Sequence, residues 1–198
     1  EATTYESAEA AFQYLLTDLK LKEEDIIIFG TSVGSGPACE LATRHPNIKG
    51  LVLECPFLSI FKVVVAKRGA IGRKVDMFQN NKKIGKVQCP VYIMHGMDDT
   101  VVPFEHGQKL YLKVSEKCKY PPKWVENSGH SDIMDKLTIK GYIDCFRDYL
   151  KYTDDFLKKI KKEQKNQIKT VSSESDSALD NLPRKSLRRF SLFGGKRG

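Results

Sequence analysis

The sequence predicts an α/β protein in which a parallel sheet of about four strands carries helices on its faces. Three observations predict it. Short apolar runs at Ile26-Ile27-Ile28-Phe29, Gly50-Leu51-Val52-Leu53, Pro90-Val91-Tyr92-Ile93-Met94 and Lys123-Trp124-Val125-Glu126 alternate with stretches of helical periodicity. That alternation is the pattern of a parallel sheet with right-handed crossovers. The first run leads directly into Gly30-Thr31-Ser32-Val33-Gly34 and then into a helical stretch. The chain of 198 residues is the size of one domain.

The elements follow in order. Thr3-Thr4-Tyr5-Glu6 has the Thr-x-x-Glu form of a capping box. Ala8, Phe12, Leu15 and Leu19 then recur at helical spacing, which predicts a helix of about four turns. Ile26 to Phe29 is the next strand, followed by a helix through about Arg44; Pro37 is tolerated because it lies near that helix's start. His45, in Arg44-His45-Pro46-Asn47, marks the helix exit. The Gly50 strand ends at Glu54. Residues 56–89 form a connection short enough for at most one or two lid helices. Phe57-Leu58-Ser59-Ile60-Phe61 and Val63-Val64-Val65 within it either floor an apolar groove or pack the core. A helix is expected near Glu105 to Val114 after the Pro90 strand and its loop, and a long one from about Ser131 into the tail after the Trp124 strand.

A strand, Gly-x-Ser-x-Gly and a helix is the signature of a nucleophile elbow. The turn is tight enough to hold Ser32 strained with its hydroxyl exposed, and side chains two residues to either side are expected to collide, which explains Gly30 and Gly34. Free N–H groups at the helix start favour developing negative charge, so the N–H of Val33, the residue after the nucleophile, is the expected oxyanion donor. A serine hydroxyl needs a histidine to take its proton and a carboxylate to hold that histidine. Asp98 and Asp99 lie in His95-Gly96-Met97-Asp98-Asp99-Thr100-Val101-Val102-Pro103, just past one strand end. His130 lies in Asn127-Ser128-Gly129-His130-Ser131-Asp132, just past another. Glu54 is a fallback acid. Asp132 is read as tying down the histidine loop, and His95 and His106 as structural or surface residues.

The order Ser32, Asp98 or Asp99, His130 is that of α/β-hydrolases. On the stretches Asp25 to Ala38, Pro90 to Pro103 and Asn127 to Ile133, the sequence resembles the C-terminal half of an α/β-hydrolase of the serine aminopeptidase-like group. Within that group it is most similar to the α/β-hydrolase-domain depalmitoylases, which remove acyl groups from cysteine thioesters. The family pattern His-Gly-x-x-Asp-x-x-Val-Pro falls on His95, Gly96, Asp99, Val102 and Pro103, so the resemblance implies a triad of Ser32, Asp99 and His130. It covers residues 1–150 and implies a partial α/β-hydrolase fold whose N-terminal strands are missing. The second oxyanion donor of that fold lies upstream of the elbow, in a His-Gly-Asn type motif that this sequence lacks. The piece by itself is therefore expected to be poorly stable or inactive, with Ile26 to Phe29 forming an unpaired apolar edge.

Composition bounds the rest. Five cysteines (Cys39, Cys55, Cys89, Cys118, Cys145) show no metal-ligand spacing, which suggests reduced thiols and leads us to expect no metal and no cofactor. No run approaches the ~20 apolar residues of a membrane span. Residues 1–150 carry 20 basic and 19 acidic side chains, whereas 151–198 carry 13 and 6, so the net +8 belongs to the tail and the core is not a nucleic-acid binder. We read 151–168 as a basic helical extension and 169–198 as a disordered basic tail. In that tail, Arg184, Lys185, Arg188 and Arg189 interleave with Leu187, Phe190 and Leu192, a pattern suited to an anionic membrane surface and a cytoplasmic, peripheral location. Arg188-Arg189-Phe190-Ser191 also has the form of a basic-directed kinase site. The expected function is a serine hydrolase acting on acylated proteins or small acyl esters. The alternatives are a carboxylesterase or peptidase, or a non-catalytic membrane- or partner-binding fragment.

Overall fold

The computed structural model describes residues 1–60 and 76–180, with side chains through residue 168. Among the described residues four strands, β1 (Ile27–Thr31), β2 (Gly50–Glu54), β3 (Val91–Gly96) and β4 (Lys123–Val125), form one sheet in the order β1-β2-β3-β4. All three pairings are parallel, with Ile28 opposite Leu51, Leu53 opposite Ile93 and Met94 opposite Lys123. Among the described residues five α-helices accompany them: α1 (Ala2–Thr17), α2 (Ser35–Arg44), α3 (Asn80–Lys83), α4 (Glu105–Tyr111) and α5 (Ile133–Asp180).

The strands are apolar at successive positions because both faces of the sheet are covered. Leu51, Leu53, Val91 and Ile93 join Phe12 of α1, Ala38, Leu41 and Ala42 of α2 and Leu110 of α4 in one buried cluster. The alternate residues, Val52, Tyr92 and Met94, face the other way and pack with Ile133 and Tyr149 of α5. Among the described residues, no strand pairs with the outer edge of β1. Phe29 on that edge is 46% exposed and leans on Phe146 of α5, ring centres 5.9 Å apart.

Several local expectations are revised. The capping box at Thr3 does not form: α1 starts at Ala2, so Thr3 already lies inside it. Glu1 stands at the N-cap without a capping side-chain bond, and its carboxylate instead accepts from Tyr5 Oη and Phe78 N–H. The helix after β3 ends at Tyr111, short of Val114. Phe57 and Leu58 are buried core residues. Phe61, Val63, Val64 and Val65 lie outside the described residues, as do residues 181–198 with the basic Leu/Phe pattern.

α5 opens with one short turn and restarts after Thr138, whose non-helical backbone (φ 61°, ψ 156°) makes a kink. Thr138 Oγ1 accepts the Gly141 N–H at 3.3 Å, so it acts as the cap of the longer part. The helix is continuous to Asp180, across the first part of the stretch expected to be disordered; residues 169–180 contain neither Gly nor Pro to break it. Two compact units divide the chain, Glu1–Leu157 and Lys158–Gly198. The first runs past residue 150 because α5 still serves the sheet there: Thr153 is fully buried and Lys49 pairs with Asp154 at 2.6 Å.

The sheet is tied to α5 by Tyr149. Its ring is 1% exposed, and its hydroxyl donates to Pro90 O at 2.7 Å, with Leu51 O at 3.2 Å. A methyl-sized group added at Gly50 would lie 2.3 Å from that oxygen, so the glycine makes room for it. Replacing Tyr149 with Phe removes this bond while Pro90 O keeps the Leu51 N–H at 2.9 Å, and should cost about 0.5–1.5 kcal/mol. Urea unfolding of Tyr149→Phe should show the loss as a lower midpoint at unchanged slope, whereas an unchanged midpoint would assign the link to packing alone.

Candidate active site

β1 delivers Ser32 at its carboxyl end. The residue has φ 49°, in the left-handed region that non-glycine residues avoid, a strain of order 1–3 kcal/mol held by the surroundings. A 3-10 turn over Ser32–Gly34 leads straight into α2. The two elbow glycines turn out to have different reasons. A Cβ at Gly30 would lie 2.6 Å from Ala38 Cβ and 2.7 Å from Gly34 O, a steric conflict. A Cβ at Gly34 would meet nothing within 4 Å, so the expected collision there is absent.

A buried polar chain braces the elbow from behind. Ser35 Oγ donates to Ser32 O at 2.6 Å, and Asn80 Nδ2 lies within bonding distance of Ser35 Oγ (3.1 Å) and Phe57 O (3.0 Å). Ser35 and Asn80 are both 0% exposed. Gly36 completes the fit, since a Cβ there would strike the Phe78 ring at 2.4 Å.

The acid and the histidine come from the ends of β3 and β4, and these two loops touch backbone to backbone. A Cβ at Gly96 would lie 2.2 Å from Gly129 O and 2.4 Å from Ser128 O. Met97 N–H donates to Val125 O and Asp98 N–H to Ser128 O, each at 2.9 Å. Asn127 has φ 54°, which turns the chain toward the elbow. Asp132 Oδ1 accepts from Ser128 Oγ (2.9 Å) and Gly129 N–H (2.7 Å), so it does hold the histidine loop.

These supports bring Ser32, His130 and Asp99 into one line. His130 Nε2 lies 2.9 Å from Ser32 Oγ, and His130 Nδ1 lies 2.7 Å from Asp99 Oδ2. The carboxylate only accepts, so Nδ1 carries the proton and Nε2 is left to accept from the serine hydroxyl. Asp98 is exposed and outside this line. Glu54 is occupied elsewhere, accepting from Tyr142 Oη at 2.7 Å. Val33 follows Ser32 in the first turn and is 59% exposed.

Asp99 is held at four points. Oδ1 accepts Val101 N–H and Val102 N–H, each at 2.8 Å. Oδ2 faces His130 Nδ1 and, at 3.3 Å, His95 Nε2. Burial opposes ionisation of this carboxyl, but the bonds from His95, His130, Val102 and Val101 outweigh it and hold Asp99 well below the usual aspartate range. His95 is fully buried, with Nε2 2.9 Å from Val102 O. It is structural in the sense expected, yet it also touches the acid, a contact its i,i+4 spacing on a strand and turn did not reveal. His106 accepts the Leu58 N–H at Nδ1, and His45 sits between Glu9 and Glu23 at the end of α2. The sequence also gave no sign of Cys55. It stands one residue past β2 at φ 46°, fully buried, with Sγ 3.6 Å from His130 O. Cys55 Sγ, an Asp99 oxygen and a His130 nitrogen lie within 4.8 Å of one another, the one such donor group among the described residues.

No protein-family model matches the chain. Among curated proteins it is 38% identical over 140 residues to "Putative alpha/beta hydrolase L404" of Acanthamoeba polyphaga mimivirus, covering 71% of this chain and 52% of that protein. It is 36% identical over 138 residues to alpha/beta hydrolase domain-containing protein 17B of Homo sapiens, covering 67% of this chain and 45% of that protein. The chain thus spans about half the length of the curated relatives it matches. Among solved structures it resembles a Paleococcus ferrophilus monoacylglycerol lipase (TM-score 0.55, 17% identity, 77% of this chain and 76% of that one). It also resembles the esterase domain of a Rhodothermus marinus protein (TM-score 0.53, 16% identity, 70% and 65%). At such identities the structural likeness speaks to the fold.

The unequal glycines give a direct test. Gly30→Ala should lower unfolding stability by about 1–3 kcal/mol, as overpacking does, while Gly34→Ala should stay within about 0.5 kcal/mol. Urea titration of both variants measures the difference; equal losses would contradict the geometry described for the elbow.

Proposed function

The chain belongs to the α/β-hydrolase superfamily, and on that premise we propose that it carries the reacting side chains of a serine hydrolase cleaving acyl thioesters or esters. The observation that carries the proposal is the continuous contact from Asp99 through His130 to Ser32 at a strained elbow. Relatives named as alpha/beta hydrolases support the hydrolase class.

The proposed steps follow from the atoms. Ser32 Oγ attacks the acyl carbonyl carbon while His130 Nε2 takes the hydroxyl proton. Asp99 fixes the ring through Nδ1–H and stabilises the imidazolium; four accepted contacts keep it ionised while it does so. The carbonyl oxygen, now negative, receives the Val33 N–H at the start of the turn. His130 returns its proton to the departing sulfur or oxygen, leaving acyl-Ser32. Water, deprotonated by the same nitrogen, then releases the acid. A second oxyanion donor belongs to the longer protein on this reading.

Within the ester and thioester class we favour a fatty acyl group on a protein cysteine, the substrate implied by resemblance to the depalmitoylases. The runner-up is a carboxylesterase or peptidase with the same three residues.

The test uses the full-length protein. A fluorophosphonate probe should label it covalently, and Ser32→Ala should abolish labelling. Loss of the nucleophile should cut turnover by at least about a thousandfold. Side-by-side rates on an acyl thioester, an acyl ester and an aminoacyl amide should favour the thioester. Labelling that survives Ser32→Ala would remove the proposed nucleophile, and a preference for the amide would replace the substrate class.

A further inference from the structure

Beside the serine contact, Cys55, a residue that hydrolysis does not use, converges on Asp99 and His130. We propose that Cys55, Asp99 and His130 form a binding site for a soft divalent cation of the zinc type. The binding claim rests on geometry alone; the inhibitory consequence drawn below rests on the hydrolase reading.

The three donors come from three different strand ends: β2, β3 and β4. Their sulfur, oxygen and nitrogen atoms lie within 4.8 Å of one another. A tetrahedral zinc ion with bonds of about 2.0–2.3 Å requires donors roughly 3.3–3.8 Å apart, so Asp99 Oδ2 and His130 Nδ1, 2.7 Å apart without the ion, open by about 0.6 Å to admit it, while Cys55 Sγ, within 4.8 Å of both residues' donor atoms, completes the set. Thiolate, imidazole and carboxylate together select zinc-like ions over magnesium or calcium, which take oxygen ligands. A thiolate and a carboxylate neutralise a dication, which suits a site where Cys55 is fully buried and the Asp99 side chain is 0% exposed.

The supports that a metal site needs around its ligands are already present. Val101 N–H and Val102 N–H hold Asp99 Oδ1, so the ion takes the place of the His130 Nδ1 proton on Oδ2, and His95 Nε2 lies 3.3 Å from that oxygen. Cys55 is fixed by its positive-φ backbone and by the bond from its own N–H to Met94 O at 2.9 Å. Burial raises the free thiol to about 12, but a bound dication deprotonates a coordinating thiol outright.

The proton balance predicts inhibition. On binding, Cys55 loses its thiol proton to solvent. His130 Nδ1 exchanges its proton for the metal, and the neutral ring keeps one hydrogen, on Nε2. That nitrogen then donates toward Ser32 and no longer accepts from it. Water takes the fourth coordination position.

The experiment is titration of the purified protein with Co2+, read by the thiolate-to-cobalt charge-transfer absorption, with Zn2+ displacing it. The expected result is saturation near about one ion per chain. Cys55→Ser, close in size to the native residue, should abolish the absorption. His130→Ala, which leaves the thiol in place, should weaken cobalt binding by more than about a hundredfold, beyond the usual loss from an outer-shell change. No absorption in the native protein, or absorption that survives Cys55→Ser, would overturn the site. Hydrolysis with and without Zn2+ is compared within each protein. Zinc should suppress it in the native chain and not in Cys55→Ser. Cobalt binding without any metal-free hydrolysis would retain the site and sink the hydrolase reading instead.

Discussion

One buried carboxylate organises the rim of this sheet. Asp99 accepts two backbone N–H groups on one oxygen and faces two imidazoles with the other. Two of those contacts build the tight turn after β3, and a third fixes the tautomer of His130. The two imidazoles and the backbone pair together compensate the buried charge, so ionisation is favoured despite burial. The histidine that faces Ser32 is therefore held by the same group that shapes the loop carrying the acid. The turn after β3 and the placement of His130 against Ser32 thus depend on the same carboxylate.

The other constraint is steric. Three chain segments meet where the strands end, and each meeting is close enough to exclude a Cβ. Gly30 admits Ala38 and the Gly34 carbonyl, Gly36 admits the Phe78 ring, and Gly96 admits the carbonyls of Ser128 and Gly129. These approaches convert a parallel sheet, whose strand ends would otherwise splay, into a platform on which residues 98 positions apart lie within a hydrogen bond. The strain at Ser32 is retained because Ser35 and Asn80, buried on its far side, leave the turn nowhere to relax.

Much of this was legible in the chain, for physical reasons that differ by element. The strands announced themselves as apolar runs because both sheet faces are buried, as Leu51, Val52 and Leu53 show by packing alternately into two cores. Ser32, Asp99 and His130 were legible because each follows such a run at a glycine-marked turn. Other features were not. The reason for Gly36 lies in Phe78, far along the chain, and the brace at Asn80 lies in a polar stretch with no periodicity. Cys55 has no ligand-like spacing, since its neighbours at the site come from other strands. Gly34 was assigned a steric role from the motif that the space around it does not require. Thr3 offered a capping pattern that Glu1 displaces by starting α1 earlier.

The proton between His130 Nδ1 and Asp99 decides whether the ring nitrogen facing Ser32 can accept its hydroxyl proton. Proton NMR of the protein with nitrogen-labelled histidine measures it directly. A low-field resonance coupled to His130 Nδ1, present in the native protein and lost in Asp99→Ala, is the predicted result. A spectrum in which His130 carries its single proton on Nε2 would contradict the account, because the serine would then have no base.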